Sequence, residues 1–352
     1  MPDGLSAAIA EEHSRVRGRI RYGTLLLILA ALLVPVYFAC LFLGSVSISA
    51  GDVIDAWLGR ASWADTYIVT ELRMPRALCA AVVGAGLSMA GLAMQALFRN
   101  PMASPSVLGI SSGASFGACL TLGFGFGGAL GLYSTSVMAF VMCFATLALV
   151  YMLAYTRHGV PAVLLLLSGV AVGTFFSGFS SLLQYLVDDK DALANIVYWT
   201  MGSFGKCDWA SVKVSLVTVG IGAGLIAYFS RELNLLSMGE DQARALGADV
   251  RRVRIAVLIG TALCVGGSVA ISGIIAFVGL IVPHVCRALV GPDHTRLWPV
   301  TVLAGAMFLM LMDLVCRTAM APSTLPIGVL TSMIGAPFFI YIMRKKRDEL
   351  WG

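Results

Sequence analysis

The sequence predicts an all-α integral membrane protein of about ten transmembrane helices. Three observations carry this. The chain has 352 residues, 59% of them hydrophobic and only 12% charged, with a mean hydropathy of +0.88. A water-soluble domain cannot hide that much apolar surface, so the bilayer is the solvent. The apolar residues also fall in runs of the length that crosses a hydrocarbon core as helix, about 20 residues. Finally, the alternating ten-residue units of a barrel are absent, and in lipid a helix satisfies its own backbone.

The expected spans are 24–44, 74–98, 106–124, 135–156, 162–187, 209–229, 254–275, 277–290, 298–320 and 326–343. Arg15, Arg17, Arg19 and Arg21 precede the first, as in a signal peptide. The apolar run is too long for one and Ser47-Ile48-Ser49-Ala50 is a poor cleavage site, so an uncleaved first helix is expected. The eighth run is short and contains Pro283, which makes it the weakest span. The chain divides into an N-terminal segment 1–23, one membrane domain 24–343 and a tail 344–352.

Lysine and arginine set the orientation. Segments on the side of Met1 hold seventeen of these cations and the opposite segments seven. Both termini are therefore expected in the cytoplasm, and the net charge of +5 needs no nucleic-acid explanation. On the outer side, loop 45–72 carries Ser49-Ala50-Gly51-Asp52, a candidate capped helix, with Trp57, Trp63 and Tyr67 suited to an interfacial belt. A second outer stretch, 188–208, is rich in Asp. Inner turns are tight, at Phe98–Pro105 and Arg157–Pro161.

One inner segment departs from this pattern. Residues 231–254 read RELNLLSMGEDQARALGADVRRVR. Five Arg face four acids, while Leu235, Leu236, Met238, Ala243, Leu246 and Val250 recur at helical spacing. Gly239 and Gly247 divide the segment into two short helices, since Gly tolerates positive φ after a last turn. A compact amphipathic knuckle outside the bilayer is a surface for a soluble partner; the bland alternative is a solvated loop.

No chemistry-bearing motif competes with this. The eight Cys form no CxxC pair and mostly lie inside spans, as packing residues. The four His are scattered, and neither HExxH nor a phosphate loop is present. No catalytic residue and no metal set is expected. Gly109, Gly113 and Gly117 form a small-xxx-small ridge, and Gly220 and Gly224 a weaker one. In the fifth span Gly169, Gly173, Ser177, Ser180, Ser181 and Gln184 share one face. Such a stripe lines a weakly polar passage or serves as interhelical glue. Asp313 and Arg317, four apart in the ninth span, are placed for a local ion pair, because a lone charge there costs about 2.5–3.5 kcal/mol.

Several segments together resemble one family. They are Arg73-Met74-Pro75-Arg76; Gly91 to Ala103; Leu108-Gly109-Ile110-Ser111-Ser112-Gly113-Ala114; Gly239-Glu240 with Ala245-Leu246-Gly247; Phe277 to His284 with Asp293-His294-Thr295-Arg296; and Leu325 to Val329 with Gly335-Ala336-Pro337. In this order, across residues 25–345, they resemble the FecCD-type permease subunits of bacterial ABC importers for iron-siderophores, haem and cobalamin. Thr295 stands where a basic residue is more usual.

The resemblance implies a cobalamin-permease-like fold in the inner membrane and a second permease copy. It also implies two cytoplasmic ATPase subunits that bind ATP and Mg, and a periplasmic or lipid-anchored binding protein. This chain would bind no cofactor. Residues 232–250 would couple to the ATPase, through Leu236, Met238, Gly239, Glu240, Ala243, Ala245, Leu246 and Gly247. Arg73, Arg76 and Arg317 would dock the binding protein. Ser111, Ser112, Ser115, Gly169, Gly173, Ser177, Ser181 and Gln184 would line the passage. Two other classes compete. An ion-coupled secondary transporter needs a mid-membrane acid, for which Asp313 is the candidate. An intramembrane enzyme would need His284, Asp293 and His294 to converge.

Overall fold

The computed structural model describes residues 3–345 apart from Ser45, Ser47 and His158, giving the backbone alone for residues 3–21, Leu132 and Lys345. Residues 346–352 of the expected tail, with Lys346 and Arg347, lie outside the described residues, as do the side chains of Arg15, Arg17, Arg19 and Arg21. The helices are α1 Asp3–Phe42, α2 Ala50–Trp57, α3 Trp63–Tyr67, α4 Met74–Leu97, α5 Ile110–Phe124, α6 Ser134–Ala154, α7 Ala162–Leu186 and α8 Lys190–Met201. They continue with α9 Trp209–Tyr228, α10 Ser230–Met238, α11 Glu240–Ala245, α12 Val250–Ser272, α13 Val278–Val290, α14 His294–Thr318 and α15 Ile327–Lys345. Among the described residues, eight stretches are long and apolar enough to cross a membrane, and α5 and α13 are shorter apolar helices; together they occupy the ten expected places. α1 runs unbroken from Asp3 to Phe42, across the expected boundary at residue 23.

α4 is the axis of the fold. Eighteen of its twenty-four residues are buried, and it packs against α9, α12, α13 and α14. Its small residues explain how one helix meets four. A Cβ on Gly84 would fall 2.2 Å from the Gly305 carbonyl oxygen of α14, and one on Gly91 would fall 1.7 Å from that of Gly279 in α13. The absence of side chains lets the backbones touch. The ridge expected in α9 is in another register: Gly220 and Gly224 face open space, while Gly222 meets Gly260 of α12. Sequence spacing alone does not say which glycine faces a neighbour.

The eighth span is short for a geometric reason. Ser268 of α12 lies beside Gly86, the middle of α4, so α12 ends at Ser272 only about 6 Å beyond that level at 1.5 Å per residue. α13 then starts near Gly91, closer to the other end of α4. Residues 273–277 bridge these levels without helix. Backbone polar groups at such depth need protein partners. Ser203 N donates to Ser272 O at 2.7 Å, and Ile327 N donates to Gly202 O at 3.0 Å. The residues just after α8 are thereby tied to the end of α12 and to the start of α15.

At the end of the molecule away from α10 and α11, α2 forms where Ser49 predicts it. Ser49 Oγ accepts from Asp52 N at 3.2 Å, and Asp52 Oδ2 accepts from Ser49 N at 3.1 Å, a complete capping box.

Candidate coupling and docking sites

The knuckle consists of α10 and α11, joined at Gly239 with φ 129°. Gly247, at φ 86°, closes the second helix after Leu246. Its residues divide by role. Leu233, Leu236 and Ala243 are buried and anchor it to the helices above. Met238 and Leu246 are each 61% exposed and present apolar surface beside charged Glu240, Asp241 and Arg244. Ala245 is exposed as well. Two side-chain links hold the knuckle to the bundle. Asn234 Nδ2 donates to Asp293 Oδ1 at 2.7 Å, and Asn234 Oδ1 accepts from His294 N at 2.8 Å. With that oxygen also 2.8 Å from His294 Nδ1, the imidazole proton sits on Nδ1. The other link joins Glu240 to Arg254.

Burial alone would raise the Asp293 carboxyl, but hydrogen bonds from Thr295 and Asn234 outweigh it and hold the group below its usual range. Asp293 is thus a cap for α14 and a clasp for α10. His284 instead meets the Phe338 ring edge-on, with centroids 6.4 Å apart. The intramembrane-enzyme constellation dissolves into these separate structural contacts.

The three arginines expected at a docking surface do not stand on the surface. Arg73 is buried and donates to the carbonyl oxygens of Leu41, Phe42 and Val46. Arg76 grips Asp313 with Nε at 3.0 Å and Nη2 at 2.8 Å. Arg317 Nε lies 3.1 Å from Asp313 Oδ2, and its Nη2 donates to Cys40 O at 3.1 Å. The local pair Asp313–Arg317 therefore forms, and Arg76 completes a buried Arg–Asp–Arg cluster. These side chains clasp the far ends of α1, α4 and α14.

The expected passage residues are brought together, but as a seam between helices. A Cβ on Gly169 would fall 2.3 Å from Val107 O, and Gly173 meets Gly109. Ser177 Oγ donates to Ser112 Oγ at 3.1 Å, and Gln184 reaches Cys119 Sγ at 3.8 Å. Ser115 is buried in the same seam, Ser111 is half-buried, and exposed Ser181 bonds back to Ser177 O. In this structure the stripe packs against α5 and the turn before it, and its Ser177–Ser181 edge is open.

Comparison with known proteins places this geometry. The model of the FecCD transport family matches residues 28–345. The chain belongs to that family. Proteins of similar sequence include the hemin transport system permease protein HmuU of Yersinia pestis, 36% identical over 97% of this chain and all of that protein. The molybdate import system permease protein MolB of Haemophilus influenzae is also 36% identical, over 94% of this chain and 97% of its own. A solved structure described as an inward-facing conformation of a metal-chelate type ABC transporter superposes with a TM-score of 0.82 at 36% identity, covering 92% of this chain and 99% of that one. As a FecCD permease, the chain is a multi-pass membrane transport subunit of an ABC importer and not an enzyme.

Sequence reasoning missed three contributors to this FecCD site. Asn234 carries no motif, and its partners lie 59 and 60 residues away. Arg254 was one of five arginines without distinction. Gln95 is buried at the knuckle end of α4 and bonds Leu280 O at 3.4 Å.

Proposed function

We propose that the chain forms, with a second copy of itself, the membrane body of an importer for a metal chelate of the siderophore, haem or cobalamin kind. A periplasmic or lipid-anchored binding protein delivers the chelate, and two cytoplasmic ATPase subunits drive alternating access. Both termini and the knuckle face the cytoplasm of a bacterial inner membrane. The observation that carries this reading is the knuckle: two exposed apolar residues, Met238 and Leu246, on helices whose other faces are anchored into the bundle. A soluble ATPase that covers them gains their burial, and movement of that ATPase is conveyed through the anchors. The docking and passage roles of Arg73, Arg76, Arg317 and the α5–α7 seam belong to the same reading, in a state where those contacts have opened.

The ion-coupled alternative loses its candidate acid. Asp313 sits between the guanidiniums of Arg76 and Arg317 as the centre of a buried ion cluster, not as a lone mid-membrane acid. The test is Met238→Asp with Leu246→Asp in the full complex. Each side chain, 61% exposed, contributes about 1.4 kcal/mol when that surface is buried, so ATPase association should weaken roughly 100-fold. ATP-driven uptake of hemin, cyanocobalamin and ferric hydroxamates into vesicles should fall with it. Full association and uptake in the double variant would overturn the assignment.

A further inference from the structure

Arg254 is the fifth residue of α12 and is 5% exposed. Its guanidinium points two ways. Nη1 donates to Val160 O, in the turn that joins α6 to α7. Nη2 donates to Glu240 Oε1, on the first residue of α11. The other Glu240 oxygen is held by Arg244 Nη2 at 3.2 Å. Between the turn and α11–α12 opens a cleft of about 610 Å³, with Tyr155 and Arg157 on one wall and Arg244 and Arg251 on the other. Arg254 therefore bridges two elements that a cleft separates.

The chemistry favours this bridge over a simple ion pair. A planar guanidinium offers several fixed donors, so one side chain holds a carboxylate and a carbonyl at once; an ammonium is a single point. The Val160 carbonyl precedes Pro161, the residue that caps α7, so the bond grips the root of that helix. A buried charge that loses one partner is strongly penalised, so the bridge resists being pulled apart. Gly239, immediately before Glu240, lets α11 pivot against α10, which Asn234 ties elsewhere.

We propose that Arg254 is a positioning residue that latches α11 to the α6–α7 turn, so that displacement of α11 by the ATPase is delivered to α6 and α7. This rests on the importer reading given above. The latch accounts for an arginine at a buried site.

The test places spin labels at Gln242 and Tyr155, both exposed, in the permease–ATPase complex in nanodiscs. Distances are measured by double electron–electron resonance, nucleotide-free and trapped with ATP and vanadate. The latched chain is expected to give one narrow distance in both states. R254K, which keeps the charge but not the fork, should lose it, with a broadened distribution that shifts with nucleotide. E240Q, milder should R254K assemble poorly, should broaden it in the same sense. The swap E240R/R254E restores an opposite-charge pair but no donor to Val160 O, and should remain broad. A distance that changes between states in the unsubstituted chain, or that stays narrow in R254K and E240Q, overturns the latch. Failure of the importer reading looks different: no ATPase co-purifies with the unsubstituted chain, while the nucleotide-free distance still reports the bridge.

Discussion

Replacing Asp313 by Asn puts the buried cluster to its hardest test. The carboxylate is 2% exposed and lies within 3.1 Å of both Arg76 and Arg317, which are themselves 15% and 6% exposed. Asparagine keeps one acceptor oxygen and removes the charge, which leaves two guanidiniums facing each other in a poorly solvated site. Breaking a buried ion pair by removal of one partner costs about 3–5 kcal/mol. At roughly 2–4 °C per kcal/mol for large domains, the midpoint of thermal unfolding should fall by on the order of 10 °C. All eight cysteines are buried, so a thiol-reactive fluorophore in detergent reports the transition directly. The combined Arg76→Met, Asp313→Leu, Arg317→Met variant should recover most of the loss, because an apolar replacement removes the desolvation cost along with the attraction. A D313N midpoint within about 1 °C of the unsubstituted protein would refute the argument that this cluster clasps α1, α4 and α14.

Two further perturbations address the knuckle clasp and the helix contacts. The Asp293 carboxyl is depressed in the fold, so its contribution is fully present above the ordinary aspartate value of about 3.9 and is lost as pH falls through the lower folded value. The stability gap between the unsubstituted chain and D293N should therefore be constant from pH 7 down to that region and close below it; a gap that persists at lower pH contradicts the clasp. Gly91→Val should abolish folded expression, since its Cβ would meet a backbone oxygen at 1.7 Å, whereas Gly178→Ala, with nothing within 4 Å, should be tolerated. Equal yields of the two would remove the basis for treating α4 as the packed axis.

The bilayer made much of the fold legible. It demands runs of fixed length, so ten spans could be placed from hydropathy alone. The knuckle was legible for the opposite reason, as a charged, glycine-bounded segment among apolar ones. What the sequence did not show were pairings set by tertiary approach. Arg76 and Asp313 are 237 residues apart, and Arg317 and Cys40 are 277 apart. From one dimension an arginine at a helix end looks like a surface cation, yet here three such residues turn inward to carbonyls and a carboxylate. The small-residue stripe of α7 was ambiguous for a similar reason. Glycine and serine suit both a passage and a close contact, and only the position of α5 decides between them.

The distribution of contacts implies where the helices separate most easily. α4 meets α13 and α14, and α9 meets α12, through glycine-to-carbonyl approaches, and a Cβ on Gly202 or on Gly328 of α15 would fall 2.5 or 2.7 Å from Ile274 O of the 273–277 strap. Sliding any of these would break close-packed backbone contacts together. The open edge of the α5–α7 seam is held differently, by a hydroxyl pair at Ser177–Ser112, a weak amide–thiol contact at Gln184–Cys119 and one edge-on ring contact at Phe116–Phe179. Hydroxyls exchange such partners for water at little net cost, about 0.5–1.5 kcal/mol per bond. The exposed far half of α7, from Ser177 onward, can therefore part from α5 more cheaply than the central helices can part from one another. The turn at the other end of α7 is the one that Arg254 holds to the knuckle, which puts the least costly separation and the firmest grip on the same helix.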